Sequence, residues 1–166
     1  SSLIPNIKTH KRRSIVPIQA ILFDFDNTIA NTSRIREIRE TQAYELLTPE
    51  NMAGIRPYKK IPQLLNDIKR AGVKIGLVTN AGRGYIMPVL HHLELDGVFD
   101  TIVTYTEVKA EGKKPSPTGI RKALDDMNVA PHPSVLYIGD ENIDHEAAYR
   151  ARITPVMPSW ATRKPV

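Results

Sequence analysis

The chain has 166 residues, 41% hydrophobic and 25% charged, enough for one ordinary domain with its own core and unlike disordered or collagen-like chains. It has no cysteine, which excludes disulfides and fits a reducing compartment; no apolar run approaches the ~18 residues of a membrane span and no secretion-signal core follows the N-terminus, so the reading is a soluble, cytoplasmic protein. The net charge of +5 divides into +4 from Lys8, Lys11, Arg12 and Arg13, +2 from Arg163 and Lys164, and −1 in the body between, which argues against a broad nucleic-acid-tracking face.

Residues 1–19 read as a basic leader, solvated or partly disordered, with binding to a polyanion or partner as the other reading of its charge. The chain opens Ser-Ser rather than on Met, as a trimmed chain or one domain of a longer protein would. Ala20-Ile21-Leu22-Phe23 is an apolar run that ends in Asp24-Phe25-Asp26-Asn27-Thr28, the pattern of a buried strand delivering acids to a sheet edge. Asp24 and Asp26, two apart, share one side of an extended chain, while Phe25 turns to the core. Ser33 is placed to cap a helix running to about Leu47, with Ile35, Ile38 and Leu46 on one side; Pro49, Gly54 and Pro57 then interrupt the pattern.

Ile61, Leu64, Leu65 and Ile68 recur at helical spacing before Gly72 stops the helix. A second strand, Val73 to Val78, ends in Thr79-Asn80. A helix over about Tyr85 to Leu93 and a short strand over Asp100 to Thr104 follow, then the loop Gly112-Lys113-Lys114-Pro115-Ser116-Pro117. Pro117 to Met127 is again amphipathic. Val135 to Ile138 is a strand ending in Gly139-Asp140-Glu141-Asn142-Ile143-Asp144; a small-residue helix carries Ala147, Ala148 and Ala151, and Ile153 to Met157 is the last strand. Strands separated by helices predict a parallel sheet covered on both faces. The domain is expected over 20–160, followed by a tail over 161–166.

Three strands therefore end at polar residues, and two acids aimed together suggest a metal, a phosphate or acid/base work. The ordered set Asp24-x-Asp26-x-Thr28, Thr79-Asn80, Lys114-Pro-x-Pro and Gly139-Asp140 through Asp144 resembles the haloacid dehalogenase-like superfamily, nearest its phosphoglycolate-phosphatase-like branch, over about residues 20–160. The order of the four motifs is far more specific than any one of them. Asn27 stands where the family commonly has Gly, a departure that leaves both carboxylates in place.

The resemblance implies a Rossmann-like three-layer α/β/α sandwich around a mostly parallel sheet. It implies a phosphomonoester hydrolase in which Asp24 attacks phosphorus and becomes an aspartyl phosphate, while Asp26 is general acid and then general base. Mg²⁺ is expected at Asp24, the Asp26 backbone carbonyl and Asp140. Lys114 and Thr79, with the amides around Asn80, would hold the phosphoryl group; Thr28 would support the site and Asp144 would orient Lys114 or a metal-bound water. Only residues 29–56 lie between Thr28 and Pro57, room for one helix and a loop as a vestigial cap. The site is therefore expected to be open, accepting a small or accessible phosphomonoester or being closed by a partner or second copy.

Other patterns weigh less. A calcium loop starting at Asp24 fails because its sixth position is Ile29 and its twelfth Ile35. Gly82-Arg83-Gly84 lacks the further residues of a nucleotide loop and reads as a turn, with Arg83 exposed as a substrate contact. His91 and His92, about 100° apart on a helix, cannot chelate one ion together. His145 reads as solvated rather than a proton shuttle, and Trp160 either packs or lines the site entrance. Arg34, Arg36 and Arg39 read as a solvated helix face or a phosphate-binding cluster. Two further functions stay open: a non-catalytic phosphate- or partner-binding module of a larger assembly, and a nucleic-acid-end phosphatase using the leader.

Overall fold

The computed structural model describes residues 16–161, so the basic residues of the leader and tail lie outside the described residues. Five strands form one sheet: β1 (Ala20–Phe23), β2 (Lys74–Val78), β3 (Thr101–Val103), β4 (Leu136–Ile138) and β5 (Thr154–Val156). Their order is β3-β2-β1-β4-β5 and every pairing is parallel. The helices are α1 (Arg36–Thr41), α2 (Ile61–Arg70), α3 (Arg83–His92), α4 (Tyr105–Gly112), α5 (Thr118–Asp126) and α6 (Asn142–Arg150).

Alternation along β1 builds the two cores. Ile21 and Phe23 face one side and pack with Ile61, Leu65 and Ile68 of α2 and Tyr85, Ile86, Val89 and Leu90 of α3. Ala20 and Leu22 face the other and pack with Ile120, Ala123 and Leu124 of α5 and Ala147 and Ala148 of α6. A strand buried on both faces carries no polar residue, which explains the unbroken apolar run. The chain steps from β1 through β2 to β3, then crosses back to β4 on the other side of β1. The crevice at that reversal lies at the strands' carboxyl ends, between β1 and β4, where open α/β sheets hold ligands.

The structure differs from the sequence expectation in three elements. The helix expected from Ser33 to Leu47 is a 3₁₀ turn (Ser33–Ile35), the six-residue α1, and a second 3₁₀ turn (Tyr44–Leu46). The break is at Gln42, whose φ of 58° is left-handed; Leu46, expected on the apolar side, is exposed. Helix α4 fills a stretch, between the strand ending at Thr104 and the loop from Gly112, to which the sequence reading assigns no element. It begins at Thr104, whose side chain accepts from the Thr106 amide while Glu107 reaches back to the Thr104 amide, a capping box legible as Thr-x-x-Glu. Helix α3 starts two residues earlier than expected, at Arg83. Among the described residues no helix is long and apolar enough to cross a membrane.

Candidate active site

The turn after β1 sets the two acids. The Asp24 amide donates to the Ile138 carbonyl at 2.8 Å, extending the sheet pairing by one residue, and the chain then reverses through Thr28 N to Phe25 O (3.0 Å) and Asn27 N to Ala30 O (2.8 Å). Asn27 has φ of 61°. That explains a family preference for Gly here, and Asn is among the side chains that best tolerate this region.

Lys114 is the centre of the buried network. Its Nζ donates toward Asp24 Oδ1 (2.8 Å), Asp144 Oδ1 (2.7 Å), the Tyr137 hydroxyl (2.7 Å) and the Val78 carbonyl (3.1 Å). Only 3% of its side chain is exposed. Asn80 fixes the lysine's backbone from both sides, accepting from the Lys114 amide (2.8 Å) and donating to its carbonyl (3.0 Å). The Asn80 side chain thus clips the Lys114 backbone in place. The neighbouring Lys113 stands exposed on the cleft rim.

Asp144, fully buried, also accepts from the Glu141 amide (3.1 Å) at the start of α6. Its carboxyl packs so tightly on Gly139 that a Cβ there would fall 2.6 Å from Asp144 Cγ. Thr79 is buried, and its hydroxyl accepts from the Ala81 amide (3.0 Å) at the cleft floor. Thr28 is fully buried, its hydroxyl without a partner among the described residues, and its carbonyl accepts from the Trp160 indole (2.9 Å). Trp160 therefore packs behind the turn and does not line the cleft.

Asp26 receives three donors on one oxygen. Thr32 Oγ1 (2.6 Å), the Tyr85 hydroxyl (2.6 Å) and Arg39 Nη1 (2.9 Å) all reach Oδ1. Sequence reasoning placed Tyr85 only as a helix start and left Arg39 within a solvated or phosphate-binding cluster. The signal available was the Tyr hydroxyl itself, which needs a partner once its ring is buried. Tyr137 was missed likewise, read only as an apolar strand residue.

Other sequence expectations shift. Arg83 is not a free substrate contact: it pairs with Glu107 (2.9 Å) and donates to the Ile102 carbonyl (2.8 Å). His145 is half-buried, with Nε2 2.9 Å from the Gly139 carbonyl, rather than solvated. His91 faces Asp96 (2.7 Å) and His92 faces the Ile55 carbonyl (3.1 Å).

The electrostatics follow from burial. Desolvation raises the Asp24 carboxyl to about 7; Lys114 opposes it and the Asp144 charge adds to it. Burial pulls Lys114 down, but Asp24, Tyr137 and Asp144 together hold it well above its usual range. Burial likewise raises Tyr137. Oxygens of Asp24, Asp140 and Asp144 all lie within 4.8 Å of one another. An all-oxygen carboxylate set in which burial disfavours the charge on Asp24 fits a hard divalent cation.

Asp24, Asp26, Thr79, Lys114 and Asp144 open into one cleft of about 580 Å³, whose mouth carries Arg36, Arg39, Lys109, Lys113 and Tyr44. The Tyr44 ring lies over Gly84, where a Cβ would come within 2.6 Å of it.

Comparison with known proteins agrees with this fold. The chain is 35% identical over 108 residues to a phosphoglycolate phosphatase of Aquifex aeolicus, covering 63% of this chain and 48% of that protein. It is 28% identical over 187 aligned positions to the pyrophosphatase PpaX of Bacillus cereus, covering 88% and 85%. The chain thus spans about half the length of the first relative and most of the second. Its fold superposes on CbbY from Rhodobacter sphaeroides in complex with phosphate, with a TM-score of 0.70, 24% identity and 90% of each chain covered. It also superposes on a hydrolase of the haloacid dehalogenase superfamily from Ehrlichia chaffeensis, with a TM-score of 0.69, 20% identity, and 86% and 88% covered. The sequence profile described as haloacid dehalogenase-like hydrolase matches residues 37–157, well over half of the sequence, and the chain belongs to that family.

Proposed function

We propose that this protein is a Mg²⁺-dependent phosphomonoester hydrolase that works through an aspartyl phosphate on Asp24. The observation that carries the reading is the pairing of two differently held acids at the end of β1: Asp24 is bound to the buried Lys114, and Asp26 is held apart by three donors. An ionised Asp24 oxygen attacks phosphorus, a new O–P bond forms, and the bond to the leaving oxygen breaks with its electron pair. Asp26 gives that oxygen a proton and so releases an alcohol. It then takes a proton from the water that attacks the aspartyl phosphate, freeing inorganic phosphate and Asp24.

Lys114 favours the ionised nucleophile from within its buried network, while the Thr79 hydroxyl and the Asn80 backbone amide donate hydrogen bonds to the phosphoryl oxygens. Asp24, Asp140 and the Asp26 carbonyl would hold Mg²⁺, which would supply the charge that lets a carboxylate approach a phosphate dianion. With Arg36 paired to Glu40 and Arg39 to Asp26, Lys109 and Lys113 at the mouth of the cleft favour an anionic organophosphate, and the names of the relatives, a phosphoglycolate phosphatase and a pyrophosphatase, support that class.

The test is phosphate release from a panel of phosphomonoesters with Mg²⁺, with EDTA, and by Asp24→Asn. Release that needs the metal and is abolished in the folded variant is expected. No release from any ester by the metal-loaded protein would point instead to a phosphate- or partner-binding module.

A further inference from the structure

Oδ1 of Asp26 accepts from Thr32, Tyr85 and Arg39 at 2.6, 2.6 and 2.9 Å. The two hydroxyl contacts have the length of charge-assisted O–H···O⁻ bonds. A carboxylate oxygen offers about two lone-pair sites, so three donors exhaust it and leave no place for a proton. Any proton that Asp26 carries must therefore sit on Oδ2.

The donors are themselves fixed. Tyr85 is fully buried on the first turn of α3, its ring edge-on to Phe25 with centroids 6.4 Å apart and planes at 83°. Arg39 lies over that ring at 5.9 Å while its guanidinium bonds Asp26. It projects from α1, the only α-helix between β1 and α2, so the short insert after the first strand reaches the acid directly.

We propose that Tyr85 and Arg39 are positioning residues that commit Oδ2 of Asp26 to proton transfer. This rests on the phosphatase reading, with Asp26 as the acid. By saturating Oδ1 and stopping rotation of the carboxyl, they present Oδ2–H to the leaving oxygen as the P–O bond breaks. The same Oδ2, deprotonated by that transfer, accepts the proton of the attacking water in the second step. Without the clamp the carboxyl turns, and the proton is on the wrong oxygen for part of the time.

The leaving group separates this from a structural role. A simple alkyl phosphate such as ethyl phosphate needs a proton on its leaving oxygen, whereas 2,4-dinitrophenyl phosphate leaves as a stable phenolate and needs almost none. Tyr85→Phe keeps the ring against Phe25 and under Arg39 and deletes only the donor. Its kcat/KM for ethyl phosphate is expected to fall roughly 30-fold, within the range general acid catalysis supplies, and that for 2,4-dinitrophenyl phosphate by less than about threefold.

Arg39→Met, whose unfolding midpoint is read alongside the kinetics, is expected to show the same asymmetry to a smaller degree. Equal losses on both esters, or no loss on either, overturn the inference and leave the phosphatase reading standing. A wild-type protein inert toward both esters with Mg²⁺ present overturns the two together.

Discussion

Lys114 spends its charge inside the protein, with two carboxylates and a tyrosine hydroxyl around one ammonium. Removing one member of such a group leaves the others buried and unpaired, which costs more than the group's net contribution to stability. Lys114→Met is expected to lower unfolding free energy by about 3–5 kcal/mol, read from denaturant midpoints; a loss within 1 kcal/mol would mean that water reaches the two acids. Both lysine and acids lie in motifs visible in the sequence, because the chemistry of the site uses short contiguous runs. Tyr85 and Arg39 were not legible in that way. They meet Asp26 from 59 and 13 positions away, and nothing in their own neighbourhoods records that meeting.

At the level of the element, the strand ends carry the site and small local features decide its geometry. Gly139 closes β4 with Asp144 pressed against its Cα, and Asp144 cannot retreat because Lys114 and the Glu141 amide hold it. Gly139→Ala is expected to destabilise by about 2–3 kcal/mol, within the range of overpacking at a fixed contact, and to weaken activity more than an alanine elsewhere in β4. Calorimetry with kinetics on one preparation checks both, and an unchanged melting temperature would show that Asp144 has room to shift. The strands and α2, α5 and α6 were legible because burial enforces their periodicity. Helix α4 was not, since Val108 and Ala110 give it no regular apolar stripe and its start rests on the Thr104 and Glu107 cap. The helix expected from Ser33 failed for the opposite reason: its stripe continues past Gln42, but the left-handed turn there redirects the chain and seats Tyr44 over Gly84.

For the whole molecule, the acidic centre links stability to pH and to metal. The Asp24 carboxyl rises in the fold from 3.8 to about 7, chiefly through burial. A raised carboxyl contributes stability that is present below its unfolded value and lost as pH rises through the folded one, here between about 4 and 7. In EDTA, Asp24→Asn, which keeps an oxygen to accept from Lys114 and leaves the lysine's charge paired with Asp144, is therefore expected to melt above the wild type at pH 8, by on the order of 5 °C, and to lose that advantage at pH 4. Mg²⁺ at a hundredfold excess over its Kd should stabilise the wild type by about 2.7 kcal/mol and the variant by much less. If the two proteins melt together in EDTA at both pH values, burial does not strain Asp24; if they respond equally to Mg²⁺, Asp24 is not a ligand.

By itself the sequence determined the parallel α/β architecture and the arrival of the motif acids and lysine at the carboxyl ends of the strands, because hydrophobic period and contiguous motifs are local properties of a chain. Only the tertiary structure decided what those groups touch: Asn80 clipped to Lys114, three donors on one oxygen of Asp26, Arg83 drawn to Glu107 and Trp160 packed behind Thr28. Those partners come from elements distant in sequence, and side-chain donors and acceptors pair by proximity in space, which periodicity does not encode.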